Sequence, residues 1–192
     1  MSNLLSYLAA VLFLVTSVVT LPQSAFAAFA ERPVGFVVMD HTSQVDGAMY
    51  KNLRSMVKMP YHFPDYKIID GGLPQQVVTD ALRDDVRIDK KAMSALAEKS
   101  KVDVLVVVRI YSMDERIVNG WAGSWEDNDS YVLVEAIADF YVYKKYGNKF
   151  LKKRLRERDI KDMGNYEKPE ETIKWALSDI VNDMEGRTRI GS

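Results

Sequence analysis

The order of apolar runs predicts an α/β fold: a mixed, approximately five-stranded sheet with helices packed on it, in the order β-α-β-α-α-β-β-β-α. Three observations carry that expectation. Short β-branched runs alternate with segments of helical periodicity through the first half, as parallel crossovers require. Long period-2 segments separated by a Gly-Asn turn fill much of the second half, as antiparallel hairpins require. A final segment opening at Pro169 has apolar residues spaced for one helical face.

Each element has its own justification. Val34-Gly35-Phe36-Val37-Val38-Met39 ends at Asp40 and reads as a buried strand. Asp40, Thr42 and Ser43 are each able to cap the helix that follows; Val45, Ala48, Met49, Leu53, Met56 and Val57 give residues 44–58 an apolar face, and Pro60 ends it. Tyr66–Asp70 is a second strand, closed by a Gly71-Gly72 turn, and Pro74 suits the first turn of a helix that turns Val77, Val78, Ala81 and Leu82 to one side. Asp89 caps a helix running to Lys99, with Ala92, Met93, Leu96 and Ala97 inward.

Val102 to Ile110 is too short for a typical helix and rich in β-branched residues, so it is expected at the centre of the sheet, covered on both faces. Residues 112–130 are expected as a connection, with a small hairpin at Asn119-Gly120. Tyr131–Tyr143 is a long strand with Val132, Val134, Ala136, Ala138, Phe140 and Val142 on one side and a more mixed set on the other. Gly147-Asn148 turns the chain into residues 149–158, its hairpin partner. Ile173, Ala176, Leu177, Ile180, Val181 and Met184 then line one face of the last helix, with Gly186 at its C-terminal cap.

Charge divides the 192 residues unevenly. All 26 basic and 27 acidic residues lie beyond residue 27. Before that point an apolar run, Leu4 to Thr20, leads to Pro22 and then Ala25-Phe26-Ala27, the pattern of a secretory signal cleaved after Ala27. Residues 28–192 are then a single α/β domain. The competing reading is an uncleaved anchor, in which the leader is the domain's one contact with a membrane. Either reading takes the domain out of the cytoplasm, to the periplasm or cell surface. With no Cys in the chain there is no disulfide, Cys nucleophile, Cys-bound zinc, iron–sulfur cluster or lipid-bearing Cys. A net charge of −1 argues against a nucleic-acid partner.

The succession Val34–Asp40, helix, Tyr66–Asp70, then the Ala- and Leu-rich stretch Asp89–Lys101 leading into Val102-Asp103-Val104-Leu105-Val106-Val107, resembles an envelope superfamily. That superfamily includes the curli secretion lipoprotein CsgG, the amino-terminal domain of the Tol-system propeller protein TolB, and lipoprotein activators of peptidoglycan synthases. The likeness is one of element order across most of residues 33–185. It implies an α/β fold working in the cell envelope through contacts with other components, possible homo-oligomers included, and brings no catalytic residue with it. This chain lacks the lipid-bearing Cys and the paired amphipathic strands of a pore.

Several constellations bear on chemistry. His41, in Asp40-His41-Thr42-Ser43, would centre a small hydrolase site only if base, nucleophile and orienter converged in space, which chain neighbours seldom do; the plainer expectation is a capping loop with His41 on its surface. His62 falls in an aromatic loop, and two His without HExxH-type spacing make no zinc site. Gly71-Gly72 lacks the rest of a phosphate-binding motif. Glu126-Asp127-Asn128-Asp129 fails the EF-hand pattern and leaves only a different calcium- or lipid-binding module as an alternative. No cofactor or metal is implied.

The basic run is more informative: residues 144–161 hold nine Lys and Arg against two acids, while residues 162–185 hold seven acids against two Lys. Lys149, Lys152, Arg154, Arg156 and Arg158 are therefore candidate partner-binding residues for an envelope protein or an anionic envelope polymer, or else they guard a sheet edge against aggregation. Trp121 and Trp125, in Trp121-Ala122-Gly123-Ser124-Trp125, are candidates for an aromatic recognition tip, with burial of a ring as the alternative. The sequence thus points to an exported, non-enzymatic interaction domain.

Overall fold

The computed structural model describes residues 31–82, 88–119 and 130–187. The proposed signal peptide, the tryptophans at 121 and 125 and the acidic stretch 126–129 lie outside them. The chain divides into two units, residues 1–30 and 31–192, and the described residues all belong to the second.

That unit is a mixed α/β structure with the expected element order: β1 (Arg32–Asp40), α1 (Gly47–Lys58), β2 (Tyr66–Asp70), α2 (Gly72–Ala81), α3 (Lys90–Lys99), β3 (Val104–Asn119), β4 (Ser130–Lys144), β5 (Lys149–Asp162) and α4 (Pro169–Met184). The strands form one open sheet in the order β2-β1-β3-β4-β5. β1 pairs parallel with β2 and β3, whereas β3, β4 and β5 pair antiparallel. The two parallel crossovers travel in opposite directions along the sheet, from β1 out to β2 and from β2 back past β1 to β3. Right-handed connections therefore put α1 on one face and α2 with α3 on the other.

Two apolar layers result. Val34, Phe36, Val104, Val106, Val108, Phe140 and Val142 meet α1 and α4 on one face. On the opposite face Val37, Leu105, Val107, Tyr141 and Tyr143 meet α2 and α3. Residues 104–108 belong to both layers in alternation and are completely or almost completely buried, so β3 is the central strand its sequence predicts. Gly35 is required by a close approach: a Cβ there would lie 3.1 Å from Leu105 Cδ1 and 3.3 Å from both Pro74 Cβ and Val102 Cγ1. At the far end of the sheet, Lys144 Nζ reaches both carboxylate oxygens of Glu185, at 2.8 and 2.6 Å, and ties the C-terminus of α4 to β4.

The structure departs from the sequence expectation in two places. Helix α1 starts at Gly47 and is capped by Asp46, whose carboxylate accepts from Met49 N–H; Asp40 and Thr42 instead hold the loop before it. Residues 112–119 are strand, not connection. A register shift between Ile110 and Ser112 carries β3 past the end of β1, and pairing with β4 keeps Asp114-Glu115-Arg116 extended although their polarity broke the apolar run. By the same pairing β5 continues to Asp162. No described helix is long and apolar enough to cross a membrane.

Gly35→Ala forces α2 and the start of β3 away from β1. It is expected to cost about 1–3 kcal/mol, read as a lower denaturant midpoint with an unchanged slope.

Candidate basic sheet face

The α2/α3 face changes chemistry partway along the sheet. Register rows run across β3, β4 and β5: the apolar row Leu105–Tyr143–Phe150 is followed by Val107–Tyr141–Lys152, whose last member is cationic, and then by Arg109–Asp139–Arg154. Arg109 and Asp139 are only 3% and 1% exposed, so this row takes charge into the interior. Such burial is tolerated only where the charges are paired and hydrogen-bonded. Arg154 binds Asp139 through two nitrogens, at 2.5 Å to Oδ1 and 2.6 Å to Oδ2. The Tyr141 hydroxyl donates to Oδ2 at 3.0 Å, and the Tyr111 hydroxyl lies 3.4 Å from the same oxygen.

Burial opposes ionisation of Asp139, but the hydrogen bonds from Arg154 and Tyr141 outweigh it and hold the carboxyl below its usual range. Burial, reinforced by the Asp139 charge, pushes the Tyr141 hydroxyl up and keeps it a donor. Two cations lie over the neighbouring rings: Arg109 at 5.3 Å from the Tyr111 centroid and Lys152 Nζ at 5.1 Å from that of Tyr141.

β5 presents the cationic residues. Strand alternation places Lys152, Arg154, Arg156 and Arg158 on this one face, and all are exposed. Arg154 is committed to Asp139, and Arg158 lies 3.5 Å from Glu135. Arg156 has no ion pair among the described residues, nor does Lys152. Lys149, also exposed, falls on the opposite face, the side where Lys153 pairs with Asp179 of α4 at 3.2 Å. The structure thus groups four of the five candidate lysines and arginines and separates the fifth. Trp121 and Trp125 lie outside the described residues.

His41 sits where β1 ends. Its backbone N–H donates to Ile110 O at 3.0 Å, and its exposed ring stacks on Tyr111 with centroids 5.4 Å apart and planes 4° from parallel. The Asp40 carboxylate accepts from Thr42 N–H and Oγ1 and from Val45 N–H. Burial pushes the Asp40 carboxyl up, yet these bonds prevail and leave it below the ordinary value. Asp40 is therefore occupied in shaping the loop, and the His41 ring lies against an aromatic. His62 is exposed. Among the described residues no group of His, Asp and Glu could hold a metal ion.

Sequence reading missed Arg109, Tyr111, Asp139 and Tyr141. A signal was present: Arg109 interrupts the apolar run of β3, and Asp139 stands among tyrosines on the mixed side of β4. Only the strand register shows that the two are opposite each other and next to a basic strand.

No family model matches the chain, and no curated protein matches it. Among solved structures it is similar to the PelC dodecamer of Paraburkholderia phytofirmans at 7% identity, covering 82% of this chain and 90% of that one with a TM-score of 0.42. It is also similar to the hypothetical protein CT253 of Chlamydia trachomatis, at 12% identity, 82% and 98% coverage and a TM-score of 0.42. Lipoprotein GNA1162 of Neisseria meningitidis gives 12% identity, 81% and 99% coverage and a TM-score of 0.33. None of these three is a curli secretion protein or a Tol propeller protein, and at such values the likenesses describe a fold outline and carry no functional argument.

Asp139→Asn removes a charge that Arg154 and Tyr141 both serve, and is expected to cost about 1–3 kcal/mol at neutral pH. Folding lowers the proton affinity of this carboxyl, so its contribution is complete at neutral pH and is withdrawn as pH falls below about 4. Denaturant titrations across that range are expected to show the two proteins converging in stability toward acid.

Proposed function

We propose that the chain is an exported, non-enzymatic binding module of the cell envelope that captures an acidic protein or an anionic envelope polymer through the basic face of β5. One observation carries the reading: four successive positions on the same side of this strand, Lys152, Arg154, Arg156 and Arg158, are cationic and exposed. Guarding an edge against aggregation needs one or two charges, not an unbroken row. A row of cations spaced at about 6.6–7 Å matches a partner with regularly repeated negative charge. Lys149, at the start of β5 but on its other face, and Trp121 and Trp125, in the segment joining β3 to β4, are proposed as further contacts for the same partner.

The uncharged leader supports an envelope setting, as a cleaved signal or as the chain's sole membrane contact, and so does the superfamily resemblance in element order. A binding role is favoured over hydrolysis because Asp40 is engaged by Thr42 and Val45 and so is occupied within its own loop. The proposal invokes no cofactor, metal or nucleic acid.

Reversing Lys152 and Arg156 to Glu leaves Arg154, the direct ion-pair partner of Asp139, in place and removes the Lys152 contact with the Tyr141 ring. Affinity for immobilised poly-glutamate is expected to fall roughly tenfold or more, with a shallower dependence on salt. Unchanged affinity and salt slope would return these residues to edge protection alone.

A further inference from the structure

β5 is both a basic surface and the sheet's longest free edge: among the described residues it pairs with β4 and with no strand on its outer side. The backbone shows which residues look outward. Ile160 N–H is taken by the carboxylate of Asp159, its own neighbour, at 2.9 Å, which marks position 160 as turned away from β4. In an antiparallel ladder residues alternate between those bonded to one neighbour and those facing the other. Lys152, Arg154, Arg156 and Arg158 therefore direct their N–H and C=O groups outward as well. The residues with free backbone groups are the same ones whose side chains form the cationic row.

The other side of this edge is mixed: Leu151 and Leu155 alternate with Lys153 and Glu157, which are tied up in ion pairs with Asp179 and Lys161. Leu151 and Leu155 are half-buried under the α1/α4 layer. Asp179 of α4 reaches Lys153, and Trp175, one turn earlier, shares that side of the helix. One turn of helix spans roughly the same length as two strand residues, so the 41%-exposed Trp175 falls at about the level of Leu155 along the sheet edge.

From this juxtaposition we infer that β5 takes up an additional strand: an extended segment of an acidic partner protein, with alternate acidic and apolar residues. Its backbone pairs with the outward groups of residues 152–158, its carboxylates face Lys152, Arg156 and Arg158, and its apolar side chains lie along Leu151, Leu155 and Trp175. Strand addition of this kind draws affinity from main-chain hydrogen bonds and specificity from alternate side chains. The inference rests on the binding reading above and deepens it by naming the mode and the occupant.

Charge disfavours the most obvious competitor, a second copy of the chain paired symmetrically through residues 152–158. Two copies related by a two-fold axis pair antiparallel with like faces aligned, so even-numbered positions of β5 meet even-numbered positions. Registers that pair residues 152–158 of one copy with residues 152–158 of the other set cations opposite cations, and like charges directly opposite destabilise a sheet. An acidic strand meets the reverse situation at each position.

The test uses a synthetic peptide alternating Glu and Val, a scrambled peptide of equal composition, and the alternating peptide N-methylated on the amides that would face β5. The alternating peptide is expected to bind the protein about tenfold more tightly than either control. It should also protect the outward amides of Lys152, Arg154 and Arg156 from hydrogen exchange, and Arg156→Glu, at an exposed position without an ion pair, should weaken it. Equal binding of all three peptides without amide protection overturns strand addition but leaves electrostatic capture standing. Binding of none overturns both readings. Tighter binding of an unstructured polyanion such as polyphosphate overturns the inferred occupant, as does self-association of the protein that Arg156→Glu abolishes.

Discussion

The structure is organised by the burial of β3 on both faces. Its first five residues, Val104–Val108, leave water completely or nearly so. Such a strand must be paired along both edges and covered above and below. Parallel β1 and antiparallel β4 meet the first requirement; helices from both halves of the chain meet the second. The parallel and antiparallel halves are thus parts of one cooperative layer, and what happens farther along β3 is transmitted to β4 and β5 through register.

Beyond Val108 the same strand carries a different chemistry. Arg109 begins a row in which charge replaces hydrocarbon, and Asp139 is the acceptor around which Tyr111, Tyr141 and Arg154 arrange themselves. This row marks where the apolar layer under α2 and α3 gives way to charge, while on the opposite face Ile110, Met113, Ala136 and Ala138 remain in the core. The register shift at Tyr111 falls at the same level, and the strands then continue past β1 as a three-stranded arm. Register and the polarity of one face change together there, so the basic surface is held by paired strands and not by a loop.

Much of this was legible in the amino-acid order. Periodicity distinguished strands from helices, and the β-branched density of residues 102–110 located the central strand. The Gly147-Asn148 turn, with both residues at positive φ, located the last hairpin. The boundary of β3 was not legible, because Asp114, Glu115 and Arg116 look like a loop until β4 supplies partners. The cap of α1 was misassigned among several competent residues, since Asp40 has an alternative set of donors in its own loop. For the basic face, the cations were legible in the sequence but not their division between two faces or the carboxylate behind them. Those depend on which β4 residue lies opposite which β5 residue, a matter of three-dimensional register.

The tie between Asp139 and Arg154 separates two kinds of position on a single strand. Arg154 is fixed by the interior, and its replacement disturbs the fold whatever the ligand. Arg156, and Lys152 apart from its contact with the Tyr141 ring, answer chiefly to whatever arrives from outside. Substitutions at Arg156 can therefore change the charge of this face while the frame behind it stays constant, whereas substitutions at Arg154 cannot.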